Sequence, residues 1–253
     1  SVGELLVAPV AETLQDETVY VVTSNVMNTI PFEALVAGGA PLVEKHLVAY
    51  TQSASHLLAA IEREAAPGSA AVVFAPEAAS PGAARGAAAL PQAEFLSGEA
   101  ATETRLRNLD SGARWVHVAA PADVHHPDVL LNSVKLAADA ANDGLVHAAE
   151  LLVSSLPASL VSLDLDYGRS ADRTSGLRLS GLAEGFLQAG VPSIVINLWP
   201  VQDEAGAFFL KAFYDNLGAM EKLAAFHAAQ VATRAQYPGV AQWAAFTFRG
   251  DFR

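Results

Sequence analysis

Three short stretches of this sequence are apolar through almost every consecutive position. They read AVVFA at 71–75, WVHVAA at 115–120 and SIVINL at 193–198. A strand with one face in water would carry polar residues at alternate positions, so these runs predict strands buried on both faces, as in a parallel sheet. Such strands need helices above and below them. The sequence therefore predicts an α/β fold, with a mostly parallel central sheet and helices on both faces.

Shorter patterns predict the remaining elements of this fold. Strands are expected at 18–23, 46–50, 71–75, 114–119, 160–165 and 193–198. Helices are expected after the N-cap Ser53, at 102–109, before the C-cap Gly190, and along the stripe Phe209, Phe213 and Leu217. Trp243 and Phe246 are expected to be core residues of a late strand. The alternation of strands and helices indicates βαβ units and a three-layer sandwich.

The domain organisation follows from composition along the chain. Residues 65–90 are rich in Ala, Pro, Gly and Ser, which predicts a flexible surface excursion outside the strand at 71–75. Strands on both sides of it belong to the same expected sheet, so we predict one domain over 1–253. Because the chain begins with Ser1 rather than Met, we expect it to be a processed product or an excised piece of a larger protein.

Charge and cysteine content exclude several classes of function. The chain has 27 acidic and 15 basic residues, a formal net charge of −12, which argues against the basic face that nucleic-acid binding requires. It contains no cysteine, so disulfides, cysteine-ligated metals and thiolate catalysis are excluded. The longest nearly apolar stretch, 191–201, is too short to span a bilayer, and no basic leader region is present. We therefore expect a cytoplasmic protein without a membrane partner.

The segment SLDLDYG, 162–168, is the main candidate for a functional site. It places Asp164 and Asp166 at the end of a predicted strand. In an α/β sheet the carboxyl ends of the strands are where ligands and catalytic groups collect. These two carboxylates therefore mark a candidate site.

Several motifs resemble those of one known family. They are IPFEAL at 30–35, VEKHLVAYTQSAS at 43–55, AGVPSIVINLWPVQDEA at 189–205 and QWAAFTFRGD at 242–251. In this order they resemble the CHAT domain, a bacterial caspase- and separase-like peptidase module that often follows tetratricopeptide repeats. The resemblance implies a caspase-like three-layer sandwich, a catalytic Cys–His dyad and a place as the C-terminal part of a larger protein.

Neither member of that dyad is present at the matching positions. The segment HVAAPA, 117–122, aligns with the family's HLATHG, so Pro121 stands at the histidine position. The segment LDLDYG, 163–168, aligns with SACETG, so Leu165 stands at the nucleophile position. Leucine has no lone pair for attack, and proline has no side-chain proton to exchange. The resemblance thus implies a pseudo-peptidase without a cofactor, with Pro121 and Leu165 close together at the carboxyl edge of the sheet.

Two other functions remain open at this point. Asp164 and Asp166 could bind a divalent ion or phosphoryl group, and with His125 and His126 they could form a rebuilt hydrolase site. The simpler interpretation is solvated strand-end carboxylates and exposed loop histidines. His117 is expected to be a core histidine. The other possibility is a purely structural domain of a tetratricopeptide-repeat protein.

Asp203 is the candidate for recognition of a partner. In the family, an acid at this place is associated with recognition of a basic residue before the scissile bond, while the simpler role is an N-cap of the following helix. With Asp164 and Asp166 it would make an acidic edge, and Leu165 would offer an apolar floor for a lysine or arginine stem. We therefore expect the partner to be a protein or a basic peptide segment, including one from the parent chain.

Overall fold

The computed structural model describes residues 2–15, 17–63, 68–76, 90, 93–110, 112–167, 175–201 and 203–253, without the side chains of 25, 26, 175–178 and 203. The described helices are α1 (Val2–Leu6), α2 (Ala54–Ile61), α3 (Glu103–Arg107), α4 (Ala148–Leu151), α5 (Ser175–Gln188), α6 (Asp203–Asn216), α7 (Lys222–Gln236) and α8 (Val240–Trp243). The described strands are β1 (Thr18–Val22), β2 (Val36–Ala37), β3 (Ala40–Pro41), β4 (Leu47–Thr51), β5 (Ala70–Ala75), β6 (Glu94–Ser97), β7 (Ala113–Asp123), β8 (Ser133–Lys135), β9 (Leu145–His147), β10 (Leu160–Asp166), β11 (Ser193–Asn197) and β12 (Phe246–Gly250).

The central sheet is mostly parallel, as the apolar runs predicted. Its strands lie in the order β1, β4, β12, β11, β10, β7, β5, β6. Every neighbouring pair in this order is parallel except β11 and β12, which are antiparallel. The end of β7 also pairs with β8, and β8 pairs with β9, both antiparallel.

Two hydrophobic layers cover the two faces of this sheet. On one face, Leu182 and Phe186 of α5 pack with Leu163 and Ile194; we call this the α5 layer. On the other face, phenylalanines of α6 and α7 pack with Leu160 and with Phe246 and Phe248 of β12; we call this the α6 layer. The three-layer architecture predicted from the sequence is confirmed.

Most of the predicted elements are present. All six predicted strands are confirmed, as β1, β4, β5, β7, β10 and β11. The Ser53 side chain accepts a hydrogen bond from the His56 N–H at 3.2 Å and caps α2. Gly190 follows α5 with φ +104°, a left-handed conformation that suits glycine at a helix end. Of the expected excursion at 65–90, β5 and its flanking residues and residue 90 are described, and the remainder lies outside the described residues.

One predicted strand residue lies in a helix instead. Trp243 is buried as expected, but it ends the short helix α8, and the late strand β12 begins only at Phe246. A short apolar stretch is compatible with either a buried strand or a buried helix, so its periodicity does not distinguish them.

A buried carboxyl group connects the N-terminal segment to the core. Glu33, in the 3₁₀ turn Phe32–Ala34, accepts hydrogen bonds from the Tyr50 hydroxyl at 2.5 Å and from Gln230 Nε2 at 3.2 Å. Burial raises the pKa of Glu33 to about 7, although both hydrogen bonds act in the opposite direction. The group is therefore partly protonated at neutral pH.

This carboxyl group predicts a pH dependence of stability. Because the folded state holds the proton more tightly than the unfolded chain does, the free energy of unfolding should fall as pH rises from 4.5 to about 7. The raised pKa corresponds to a change of about 3 kcal/mol in the free energy of unfolding over this pH range. Glu33→Gln should remove this component and flatten the curve measured by urea unfolding from acidic to neutral pH. The exposed Glu99→Gln serves as the control and should keep the wild-type curve. An equally steep curve in Glu33→Gln would contradict the assignment.

Candidate functional site

The two positions that the resemblance assigns to the dyad, Pro121 and Leu165, meet at the carboxyl ends of β7 and β10. Leu165 pairs in register with Ala120, and Asp166 pairs with Pro121. Neighbouring strands are about 4.8 Å apart, so Pro121 and Leu165 lie close together, as predicted. Their side chains nevertheless belong to opposite faces, because Ala120 and Ala122 flank Pro121 in the α5 layer and Leu165 lies in that same layer.

Leu165 is part of the hydrophobic core. It is 2% exposed and packs in the α5 layer together with Tyr167, which is 3% exposed. The expectation that Leu165 forms an apolar floor for a ligand is therefore wrong. An aliphatic side chain at this register position gains free energy by entering the core that a polar nucleophile would have to leave.

The Asn197 side chain holds the backbone of Leu165 on both sides. Its Oδ1 accepts from the Leu165 N–H at 2.9 Å, and its Nδ2 donates to the Leu165 carbonyl at 2.8 Å and to the Trp199 carbonyl at 3.2 Å. The backbone pairing of β10 with β11 ends at Leu163 and Ile196. Beyond that point, the hydrogen bonds of the Asn197 side-chain amide connect the two strands. The sequence interpretation missed this residue, although a lone polar side chain inside SIVINL was the available signal.

Pro121 is accommodated because β7 has lost one neighbour at this point. The pairing of β7 with β5 extends only to Val118, whereas β7 itself continues to Asp123. Proline lacks the backbone N–H and is tolerated where no neighbouring strand requires that donor. The half-buried Pro121 is thus a strand residue. The segment 117–122, which aligns with the family's histidine motif, lies within the continuous strand β7.

The acidic residues lie at this same edge, on the α6 side. Asp164 and Asp166 alternate with Leu163 and Leu165, so they face the α6 layer, with Asp164 half-buried and Asp166 exposed. Burial raises the pKa of Tyr167, and the carboxylates of Asp166 and Asp164 raise it further. The negative charges of Asp164 and Asp166 therefore act on the buried Tyr167 hydroxyl at this edge of the sheet.

Asp203 begins the helix that follows β11. It is the first residue of α6, and its side chain lies outside the described part of the chain, so the capping role expected for it stays a prediction. The loop before it is anchored by Trp199, whose indole N–H donates to the Ala241 carbonyl at 2.8 Å. Asp203 thus stands at the same edge of the sheet as Asp166.

The histidines of the predicted hydrolase site are held by local contacts. The His126 N–H donates to Asn132 Oδ1 at 3.1 Å, and His126 Nδ1 accepts from the Asp128 N–H at 3.1 Å. The His125 N–H donates to Asp123 Oδ1 at 3.1 Å. Within the described ranges, no group of three or more His, Asp or Glu side chains is arranged to hold a metal ion.

His117 is the core histidine that the sequence predicted. Its Nδ1 lies 2.5 Å from the Tyr214 hydroxyl, and the two rings meet edge to face. Burial lowers the pKa of His117 to about 3, so the ring is neutral at physiological pH. It is therefore a structural residue of the α6 side of the sheet.

A comparison with known protein families identifies the family to which this chain belongs. The model of the CHAT domain matches residues 2–251. The chain belongs to the CHAT domain family. Human tetratricopeptide repeat protein 28 is 33% identical over 107 residues, which is 36% of this chain and 4% of that protein. The matched CHAT segment is thus a small part of that relative's length.

Solved structures of two peptidases share the fold of this CHAT domain. Separase in the separase–securin complex of Saccharomyces cerevisiae superposes with a TM-score of 0.61 at 13% identity, over 92% of this chain and 15% of that one. The Arg-specific cysteine proteinase gingipain R superposes with a TM-score of 0.57 at 8% identity, over 91% of this chain and 59% of that one. The fold is therefore the caspase-like one that the motifs implied. No helix in the described part of the domain is long and apolar enough to cross a membrane.

The role of Asn197 can be tested by unfolding. Asn197→Ala should leave the buried Leu165 N–H and carbonyl without partners and lower the free energy of unfolding by about 2–4 kcal/mol. Asn216→Ala is the matched control, because its half-buried Nδ2 donates a single bond to the Ala212 carbonyl at 2.8 Å. Asn216→Ala should lower the free energy of unfolding by only about 1 kcal/mol. Equal losses in the two variants, measured by urea unfolding, would refute the bracing role.

Proposed function

We propose that this CHAT domain is a catalytically inactive pseudo-peptidase that binds a protein or a basic peptide segment. The observation that carries the proposal is the state of the nucleophile position: Leu165 is packed in the core, and Asn197 holds its backbone. The chain has no cysteine to replace it. A site whose central position serves packing is suited to binding at its rim rather than to covalent chemistry.

The acidic edge supports a basic partner. Asp166 is exposed at the carboxyl end of β10, and Asp203 begins the helix after β11. The net charge of −12 adds a long-range attraction for cations, which salt screens over about 8 Å at physiological ionic strength. Separase, which shares the fold, has been solved in complex with the protein securin, and gingipain R is an Arg-specific proteinase. Both support the choice of a protein partner with basic residues.

The two alternatives make different predictions. A rebuilt hydrolase would need a base or metal beside Asp164 and Asp166, and in the described part of the chain no group of three or more His, Asp or Glu side chains is arranged to hold a metal ion. A purely structural domain of a tetratricopeptide-repeat protein would bind no peptide. A bacterial origin and a cytoplasmic location remain predictions from the resemblance and the composition.

Peptidase assays test the inactivity directly. The wild-type chain should not cleave reporter peptides containing Arg or Lys, because neither a nucleophile nor a base occupies the dyad positions. The double variant Leu165→Cys/Pro121→His should also remain inactive. Its thiol would lie in the α5 layer and its imidazole on the opposite face, out of the hydrogen-bond reach that a dyad requires.

Turnover by the wild-type chain that is lost in Asp164→Ala would favour the rebuilt hydrolase. Turnover by the double variant would show that the two side chains can meet, and would contradict the placement of Leu165 in the core.

Calorimetric titration tests the binding role. We expect Arg- or Lys-containing peptides to bind more tightly than matched peptides with Gln at the basic positions. Asp166→Asn/Asp203→Asn should weaken binding about tenfold, since an ion pair at a wet edge contributes about 0–1 kcal/mol. Asp110→Asn, which removes an exposed charge just before β7 at the opposite edge, should leave the affinity unchanged. Equal affinity for the basic and Gln peptides would refute the proposal.

A further inference from the structure

A second polar site lies at the other end of the sheet from Leu165. It is a cavity of 380 Å³ between α2, α5 and the residues that follow β1 and β4. Small hydroxyl and amide side chains line it, including Thr23, Asn28 and Gln52, together with Glu184 and Arg249. Arg249 pairs with Ile194 near the amino end of β11, whereas Asn197 and the degenerate dyad positions lie at the carboxyl end.

Arg249 is a buried cation whose Nε has no hydrogen-bonding partner among the described residues. It is 4% exposed, its guanidinium lies over the Tyr50 ring at 5.5 Å, and no described group accepts a hydrogen bond from its Nε. Burying a charge costs free energy, and such groups in proteins normally pair with a counter-ion. The carboxyl groups of Glu184 and Glu33 act electrostatically on Arg249. The planar guanidinium matches the geometry of a carboxylate.

Glu184 provides a carboxyl group in the same cavity. It lies on α5, is half-buried, and forms no ion pair with Arg249 in the described part of the chain. Burial raises the pKa of Glu184 to about 7, while Arg249 and a hydrogen bond with Gln52 act in the opposite direction. A cationic group beside it would favour the charged form.

An adjoining cavity has a more apolar wall. It measures 280 Å³ and shares Gln52 and Glu184 with the first one. Ala59 and Ala60 of α2 and Leu187 of α5 line its other side. A ligand with its charged groups beside Arg249 and Glu184 could place an apolar side chain here.

We propose that these two cavities bind a small α-amino acid with an apolar side chain. Its carboxylate accepts hydrogen bonds from the Arg249 guanidinium, its ammonium group faces the Glu184 carboxylate, and its side chain contacts Ala60 and Leu187. This site goes beyond the proposed pseudo-peptidase function and does not depend on it, because the acidic edge and the cavity lie at opposite ends of the sheet.

Three related small molecules test the proposal. L-leucine carries both charges, 4-methylpentanoate lacks the ammonium group, and 3-methylbutylamine lacks the carboxylate. Titration calorimetry and thermal unfolding of the wild-type chain should show saturable leucine binding and a raised Tm, with each single-charge analogue weaker by about tenfold or more. Absence of leucine binding at millimolar concentration, or equal binding of all three molecules, would overturn the proposal.

Two variants assign the charged contacts. Arg249→Lys should weaken leucine binding about tenfold, because the bidentate contact to the carboxylate is lost. Glu184→Gln, at a half-buried position, should remove the preference for leucine over 4-methylpentanoate while keeping binding of the latter. Glu99→Gln, exposed beside the far edge strand β6, is the control and should bind like the wild type. A preference for leucine that survives in Glu184→Gln, or full affinity in Arg249→Lys, would contradict the assigned contacts.

Discussion

The parallel pairing of β7 with β10 is the interaction on which the rest of the structure depends. It extends from Leu160 and Trp115 to Asp166 and Pro121, and both strands are buried on both faces along most of this length. Because side chains alternate between faces, a shift of one residue in β10 would put Asp164 into the α5 layer and Leu165 onto the α6 side. The register therefore sets the core and the acidic edge together.

The packing of Leu165 stabilises the fold at the position that the family resemblance assigns to the nucleophile. A leucine that leaves water completely contributes about 1.5–3 kcal/mol. The Asn197 amide adds two hydrogen bonds to the same residue and so ties β11 to the end of β10. A reactive group would instead have to face a ligand. The packing of Leu165 and the proposed loss of catalysis are thus two consequences of one substitution in one register position.

Charge is distributed unequally between the two ends of the sheet. Asp164 and Asp166 lie at the carboxyl end of β10, and the buried Arg249 lies near the amino end of β11. The overall charge of −12 makes the protein attractive to cations at long range, but it does not determine what a buried guanidinium binds. The two proposed sites therefore carry opposite charges: carboxylates at the acidic edge, and a guanidinium in the Arg249 cavity.

The fold class, most strands, the cap at Ser53 and the absence of thiol chemistry could all be predicted from the sequence alone. Each of these depends on neighbouring residues or on composition. Only the tertiary structure decided the opposite faces of Pro121 and Leu165, the helical place of Trp243 and the antiparallel β12. It also decided the contact of Glu33 with Gln230, 197 residues away. Strand register and layer packing bring distant residues together, and local patterns carry no information about which distant residues those are.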